Sequence, residues 1–204
     1  MDARARRIVE IAIELAERDG FQAVRLRDVA QQAEVALATV YRRFQSKEDI
    51  LIAALEQEAE KLQARVRRRG ITGDTPVERV VTFFRVVTQG LVRRPSLSRA
   101  LIRALASTEA GVSHKVERFH RLFIRLTAAA WRGEPDDPTT PDAELEARAE
   151  FIPASILQQV WFAWLVGWAG GMHEAATVDE HISRAAVLLL RALQAPEPAL
   201  PSAK

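Results

Sequence analysis

The chain has 204 residues, 48% of them apolar and 27% charged, with a formal net charge of +2 and no cysteine. Those figures fit a soluble globular protein with a sizeable core, and they exclude disulfides, thiolate metal sites and cysteine nucleophiles. No apolar run follows the N-terminal arginines, and the longest apolar stretch, residues 160–170, is about half of what a membrane helix needs; no membrane partner is expected, and the expected compartment is the cytoplasm.

Apolar residues recur at helical spacing along almost the whole chain and nowhere alternate with period two, which predicts an all-α fold. Ile8, Ile11, Ala12, Leu15 and Ala16 share one helix face, and Gly20 stops that helix. Leu26, Val29, Ala30 and Ala33 make a second, shorter helix. After a break at residues 34–36, a third is predicted over 37–44. Ser46, followed three residues later by Asp49, has the spacing of a cap that opens a long helix from Lys47 to about Arg69, closed by Gly70.

A connector over 71–75 leads to Pro76, well placed in the first turn of a helix reaching about Arg94, with Pro95 ending it. Further helices are predicted over 97–107 and 112–131. Three prolines and several acids make 132–142 a loop. A helical region over 143–168 should be kinked or broken by Pro153. Gly170 and Gly171 end it, a last amphipathic helix covers 178–193, and the proline-rich segment 196–204 reads as a disordered tail.

Charge is unevenly spread. Residues 25–47 hold five cations (Arg25, Arg27, Arg42, Arg43, Lys47) against two acids (Asp28, Glu34), whereas residues 71–204 balance 15 cations with 15 acids. The local surplus suits a phosphate backbone, although such a cluster is more often a solvated face. It coincides with three short helices, the second and third joined by a tight turn, which is what a helix-turn-helix requires. In the third, Val40 and Phe44 are four apart and can face the core. Thr39, Tyr41, Arg42 and Arg43 are left with hydroxyls and guanidinium groups that suit phosphates and base edges.

The run Gly20-Phe21, Arg27 to Ala30, Ala33 to Ala36 and Thr39 to Leu51 resembles the DNA-binding domain of TetR-family transcriptional regulators, over about 32 residues in fixed order. The resemblance implies phosphate contacts from Thr39, Tyr41, Lys47 and Arg27, and base contacts from Leu37, Ala38 and Arg42, with Arg43 nearby. It also implies residues 1–47 as the DNA-binding domain, residues 48–195 as an effector-binding and dimerisation domain, and a homodimer formed by the last two helices on a palindromic double-stranded operator. The sequence departs from the pattern at Arg25, where a capping Thr is usual, at Glu34 in place of a turn glycine, and at Ala36 in place of a capping Ser. A left-handed Glu34 would cost roughly 1 kcal/mol or slightly more.

For the effector, the resemblance implies a cavity among the middle helices that takes a largely hydrophobic small molecule. Phe84, Thr88, Leu91, Leu101, Leu105, Phe119, Phe123, Trp161 and Trp164 are the candidate lining residues. Trp161, Trp164 and Trp168 fall on one stripe, which favours core or interface over direct lining. Segments 75–95 and 160–168 also resemble TetR-type repressors of steroid catabolism. That would imply a steroid or its coenzyme A thioester, with arginines at the mouth meeting phosphates, beside fatty acyl thioesters and other hydrophobic effectors. No cofactor or metal is expected, because His114, His120, His173 and His181 lack ligand spacing and no nucleophile motif or phosphate loop appears. An enzyme is the first rival, and none is expected; the others are a helical interaction protein that reads no DNA, and an activator of the same family.

Overall fold

Asp2 accepts the amide of Ala5 at 2.8 Å and so caps the first helix, α1 (Ala3–Asp19), which ends where Gly20 takes a positive φ of 77°. A single 3-10 turn (Phe21–Ala23) connects it to α2 (Leu26–Gln32) and α3 (Leu37–Tyr41). Ser46 accepts the amide of Asp49 at 3.2 Å and opens α4 (Lys47–Arg69), as its sequence spacing predicts. Thr75 and Glu78 cap α5 (Pro76–Val92) reciprocally, and α6 (Pro95–Leu105), α7 (Ser113–Arg132), α8 (Asp142–Glu146), α9 (Phe151–Ala169) and α10 (Ala175–Gln194) follow. The computed structural model describes residues 2–106 and 111–194, and the described secondary structure is helical throughout. The tail expected over 196–204 lies outside the described residues.

Among the boundaries that differ from expectation, three have a clear local reason. Helix α3 ends at Tyr41 instead of Phe44, because the amides of Arg43 and Phe44 both turn back to the Val40 carbonyl at 2.9 Å. Pro95 does not merely terminate α5 but occupies the first turn of α6, where its missing N–H would have no helical partner anyway. Pro153 likewise sits in the first turn of α9, so the break predicted at the proline falls before it, between α8 and α9. The loop over 133–141 is tied down by buried Arg125, which pairs with buried Asp136 at 3.2 Å and donates to the Thr140 carbonyl at 3.0 Å.

Helix α1 packs on α4 and α6, and α5, α7, α9 and α10 pack on one another, so α4 and α6 bridge the N-terminal helices to the rest. Ile8 of α1 and Ile50, Leu51 and Ile52 of α4 are fully buried; each contributes roughly 1.5–3 kcal/mol by removal from water. Helix α9 is long and apolar enough to cross a membrane by length and composition alone, a wider apolar run than the sequence reading recognised. Its inner side, with Leu157, Trp161, Leu165 and Trp168, is core.

Candidate nucleic-acid interface and effector cavity

The turn between α2 and α3 is closed by the Val35 amide donating to the Ala30 carbonyl at 3.0 Å. It requires Glu34 at φ +54°, the one positive-φ non-glycine among the described residues. A left-handed L-residue costs roughly 1–2 kcal/mol, so the departure noted in the sequence is a real local strain. Neither Arg25 nor Ala36 supplies a side-chain cap to the helix it precedes.

Burial then sorts the third helix. Val40 and Phe44 are buried and anchor α3. On its other sides Ala38, Tyr41, Arg42 and Arg43 are exposed, Leu37 and Thr39 are half-buried, and Arg27 of α2 is exposed. Tyr41 is the large residue that stands out, at 57% exposed. Arg42 folds back, its guanidinium donating to Thr39 Oγ1 at 3.3 Å. Arg43 is otherwise engaged: it pairs with Asp2, the cap of α1, at 2.5 Å. The Ala5 amide first, and then Arg43, hold the Asp2 carboxyl below its usual range.

Lys47 begins α4, where the helix terminus favours anions. Its Nζ lies 4.1 Å from the centre of the Phe21 ring and donates to Gln22 Oε1 at 3.3 Å. Arg103 of α6 lies 4.5 Å from the centre of the same ring. An aromatic face attracts cations, so Phe21 orders Lys47 while contacting a helix of the second half. Nothing in the sequence placed residue 103 beside residue 21.

The second site is a cavity of about 360 Å³ between α4, α5, α6, α7 and α9. Leu91, Leu101, Leu105, Phe119, Phe123 and Trp161 line it, joined by Leu62, Phe162 and Leu165. The Phe123 and Trp161 rings stack with centres 4.6 Å apart and planes within 8°, forming an aromatic floor. Three other hollows, of about 660, 610 and 380 Å³, are larger but more open to solvent, with exposed Arg18, Arg99 and Arg103 in the first, Gln159, Ala163 and Val166 in the second, and Glu60 and Arg118 in the third. The deeper, largely apolar walls of the 360 Å³ cavity suit a hydrophobic guest better.

Three expected lining residues lie elsewhere. Phe84 is fully buried behind the floor, its ring 5.6 Å from Trp161. Thr88 is also buried: its hydroxyl accepts the Trp161 Nε1–H at 3.0 Å and donates to the Phe84 carbonyl at 2.8 Å. Thr88 therefore positions the floor without facing the cavity. Trp164 turns away, stacking on His181 of α10 with centres 3.6 Å apart and meeting His173 at 4.9 Å. Three residues along a helix rotate the side-chain direction by about 60° from full register, enough to send Trp161 and Trp164 to different neighbours.

The cavity mouth carries charges that the sequence reading did not assign: Glu58, Lys61 and Arg65 from α4, and Arg93 and Arg94 before α6. Arg94 grips Glu17 of α1 through Nε at 2.7 Å and Nη2 at 2.6 Å. That bidentate bond holds the Glu17 carboxyl below its ordinary range. Outside the cavity, His120 is half-buried with its Nδ1 2.6 Å from Gln158 Nε2, and burial depresses its imidazole. Among the described residues no group of three or more acids and histidines could hold a metal.

A family model described as bacterial regulatory proteins, tetR family, matches residues 8–54. A second, described as the Tetracyclin repressor-like C-terminal domain, matches residues 73–189. The chain is similar to the HTH-type transcriptional repressor KstR of Rhodococcus jostii, 32% identical over 92% of this chain and 82% of that protein. KstR of Mycolicibacterium smegmatis is 28% identical over 95% of this chain and 90% of its own length. Among solved structures, a TetR transcriptional regulator from Rhodococcus sp. RHA1 aligns with a TM-score of 0.77 at 26% identity, covering 92% of this chain and 96% of that one. FadR of Thermus thermophilus, a TetR-family repressor solved with lauroyl-CoA, shares the fold with a TM-score of 0.70 at 21% identity, covering 98% of this chain and all of its own.

Proposed function

Because the chain belongs to the TetR family of bacterial transcriptional regulators, we propose that it is a homodimeric repressor released from a palindromic operator by an amphiphile with a hydrophobic body and an anionic head. The observation that carries the effector class is the 360 Å³ apolar cavity with Lys61, Arg65, Arg93 and Arg94 at its mouth. An acyl or steroid thioester of coenzyme A has both parts. Such a guest would bury its carbon skeleton against Phe123 and Trp161 and leave its phosphates among the cations.

DNA reading falls to α3. Leu37, Ala38 and Arg42 would meet base edges, while Arg27, Thr39, Tyr41 and Lys47 would hold phosphates. Arg43, already paired with Asp2, would contribute mainly by fixing α1 against α3. The dimer would form through α9 and α10, where Ile152, Ile156, Val166, Val187 and Leu188 stand exposed at 66%, 40%, 38%, 37% and 65%. Exposed apolar residues gathered on two helices are what an interface covers, and two such pairs make a four-helix contact.

In the repressing dimer the two α3 helices would lie roughly 34–36 Å apart, one turn of DNA, to enter successive major grooves. An effector releases the operator only by preferring another head spacing, and a full reversal of occupancy needs about 5.5 kcal/mol of preference. The test is fluorescence anisotropy with labelled DNA from upstream of the gene, at several salt concentrations, with and without lauroyl-CoA. Preference over unrelated DNA, falling with salt and lost on adding the thioester, is the expected result. Equal, salt-insensitive binding to both DNAs would favour an interaction protein whose strained, uncapped turn no longer reads sequence.

A further inference from the structure

Arg94 faces two ways. It lines the cavity mouth, yet both ends of its fork are spent on Glu17, 77 residues away on α1. Its remaining nitrogen lies 3.8 Å from Glu58, whose carboxylate also pairs with Lys61 at 2.8 Å. Arg65 and Arg93, on the same rim, have no ion pair among the described residues. Four cations therefore surround two carboxylates where a guest's head would emerge. Among the described residues, Glu17–Arg94 is also the one ion pair joining α1 to any residue beyond α4.

We propose that Arg94 is an exchange point: an anionic head seated at the cavity mouth takes its guanidinium fork from Glu17, so that filling the cavity unties α1 from the α5–α6 corner. The step rests on the reading above, that an amphiphile occupies the cavity. The fork matches carboxylate and phosphate alike, because its planar donors bond either oxygen pair in parallel. Neither present partner is committed by burial, since the Arg94 and Glu17 side chains are 36% and 45% exposed. Exposed pairs are weak, and a phosphate brings more charge than one carboxylate. A neutral head gains nothing by approaching. The bond is also well placed to matter: α6 both walls the cavity with Leu101 and Leu105 and packs on α1.

The test titrates lauroyl-CoA, laurate and dodecanol, three heads on one chain length, into the full-length protein by calorimetry. Wild type is compared with Glu17→Gln and with the charge-swapped Glu17→Arg/Arg94→Glu. Freed from competition, Glu17→Gln should bind lauroyl-CoA about threefold tighter, the size of an exposed pair, with dodecanol unchanged. The swapped protein re-forms the pair with residue 17 but meets Glu58 as a like charge, so its melting temperature is measured alongside; it should bind lauroyl-CoA at least about tenfold more weakly, because a carboxylate now faces the anion. In Glu17→Gln the factor by which lauroyl-CoA weakens operator binding should also shrink, a change that a merely structural role for Glu17 would not produce. A gain with laurate alone or with lauroyl-CoA alone supports the exchange and names the anion as carboxylate or phosphate. If Glu17→Gln binds both anions no tighter than wild type does, the exchange is overturned while the cavity reading stands. If wild type binds none of the three, the cavity reading fails and takes the exchange with it.

Discussion

Replacing Thr88 with Val keeps the side chain's shape and removes its hydroxyl. Thr88 is 1% exposed and Trp161 3%, so the indole Nε1–H that now donates to Thr88 Oγ1 at 3.0 Å would have no water to turn to. The Phe84 carbonyl loses the hydroxyl as a second donor at 2.8 Å but keeps its backbone partner within α5. One orphaned buried donor costs about 1–3 kcal/mol. The variant should therefore lose about 1–2 kcal/mol, which is about 2–8 °C in melting temperature for a chain of this size. Urea unfolding followed by far-ultraviolet circular dichroism would measure it, at fixed protein concentration because the proposed dimer would add to apparent stability. Trp161→Phe removes the donor itself, so Thr88→Val should cost less in that background, where the interaction of its hydroxyl with Asp179 is what remains to be lost, and the cycle should show a coupling of about 1 kcal/mol. A variant as stable as wild type, or an equal cost in both backgrounds, would refute the idea that this bond holds the cavity floor.

Acid should destabilise the protein through His120. Burial lowers its folded-state pKa below the ordinary 6.5, so its contribution is full above 6.5 and fades as pH falls through the lower folded value. Melting between pH 7 and 5 should show a fall in wild type that is smaller in His120→Gln, and equal falls would count against it. Glu34→Gly should stabilise by up to about 1 kcal/mol, the relief of left-handed strain less the glycine's larger unfolded entropy; a loss in urea unfolding would mean the Glu34 side chain holds the turn. Ile152→Asp with Leu188→Asp, two exposed positions on α9 and α10, should convert the proposed dimer to a folded monomer by sedimentation. Retention of the dimer would place the interface elsewhere.

Local signals were readable wherever one turn of chain contains both partners. The Ser46 cap and Gly70 bound α4 where the sequence places its ends, and Gly20 closes α1. The strain at Glu34 was legible from the residue type alone. Pro153 is ambiguous in sequence, because a proline cannot say whether it breaks a helix or opens one; that depends on the chain before it. The cavity was half legible. Periodicity identifies which residues turn inward but not which neighbour they meet, so Trp161 reached the floor while Trp164 met α10. The charged mouth was hidden more deeply. Glu58, Lys61 and Arg65 look like the solvated face of a long helix, and the Arg94–Glu17 bond joins segments 77 residues apart.

The central claim, that this chain holds DNA through the exposed side of α3 and the start of α4, is tested most directly by Tyr41→Phe/Lys47→Ala. Operator affinity is measured by anisotropy across a salt series, beside dimer mass by sedimentation. Each dimer then lacks two lysine contacts, so the plot of log affinity against log salt should become shallower by about two. Affinity should fall at least about tenfold at fixed salt, taking each phosphate contact as a charge-assisted bond, with dimer mass unchanged. Undiminished affinity with an unchanged salt slope would contradict the account and move the DNA contact off these residues.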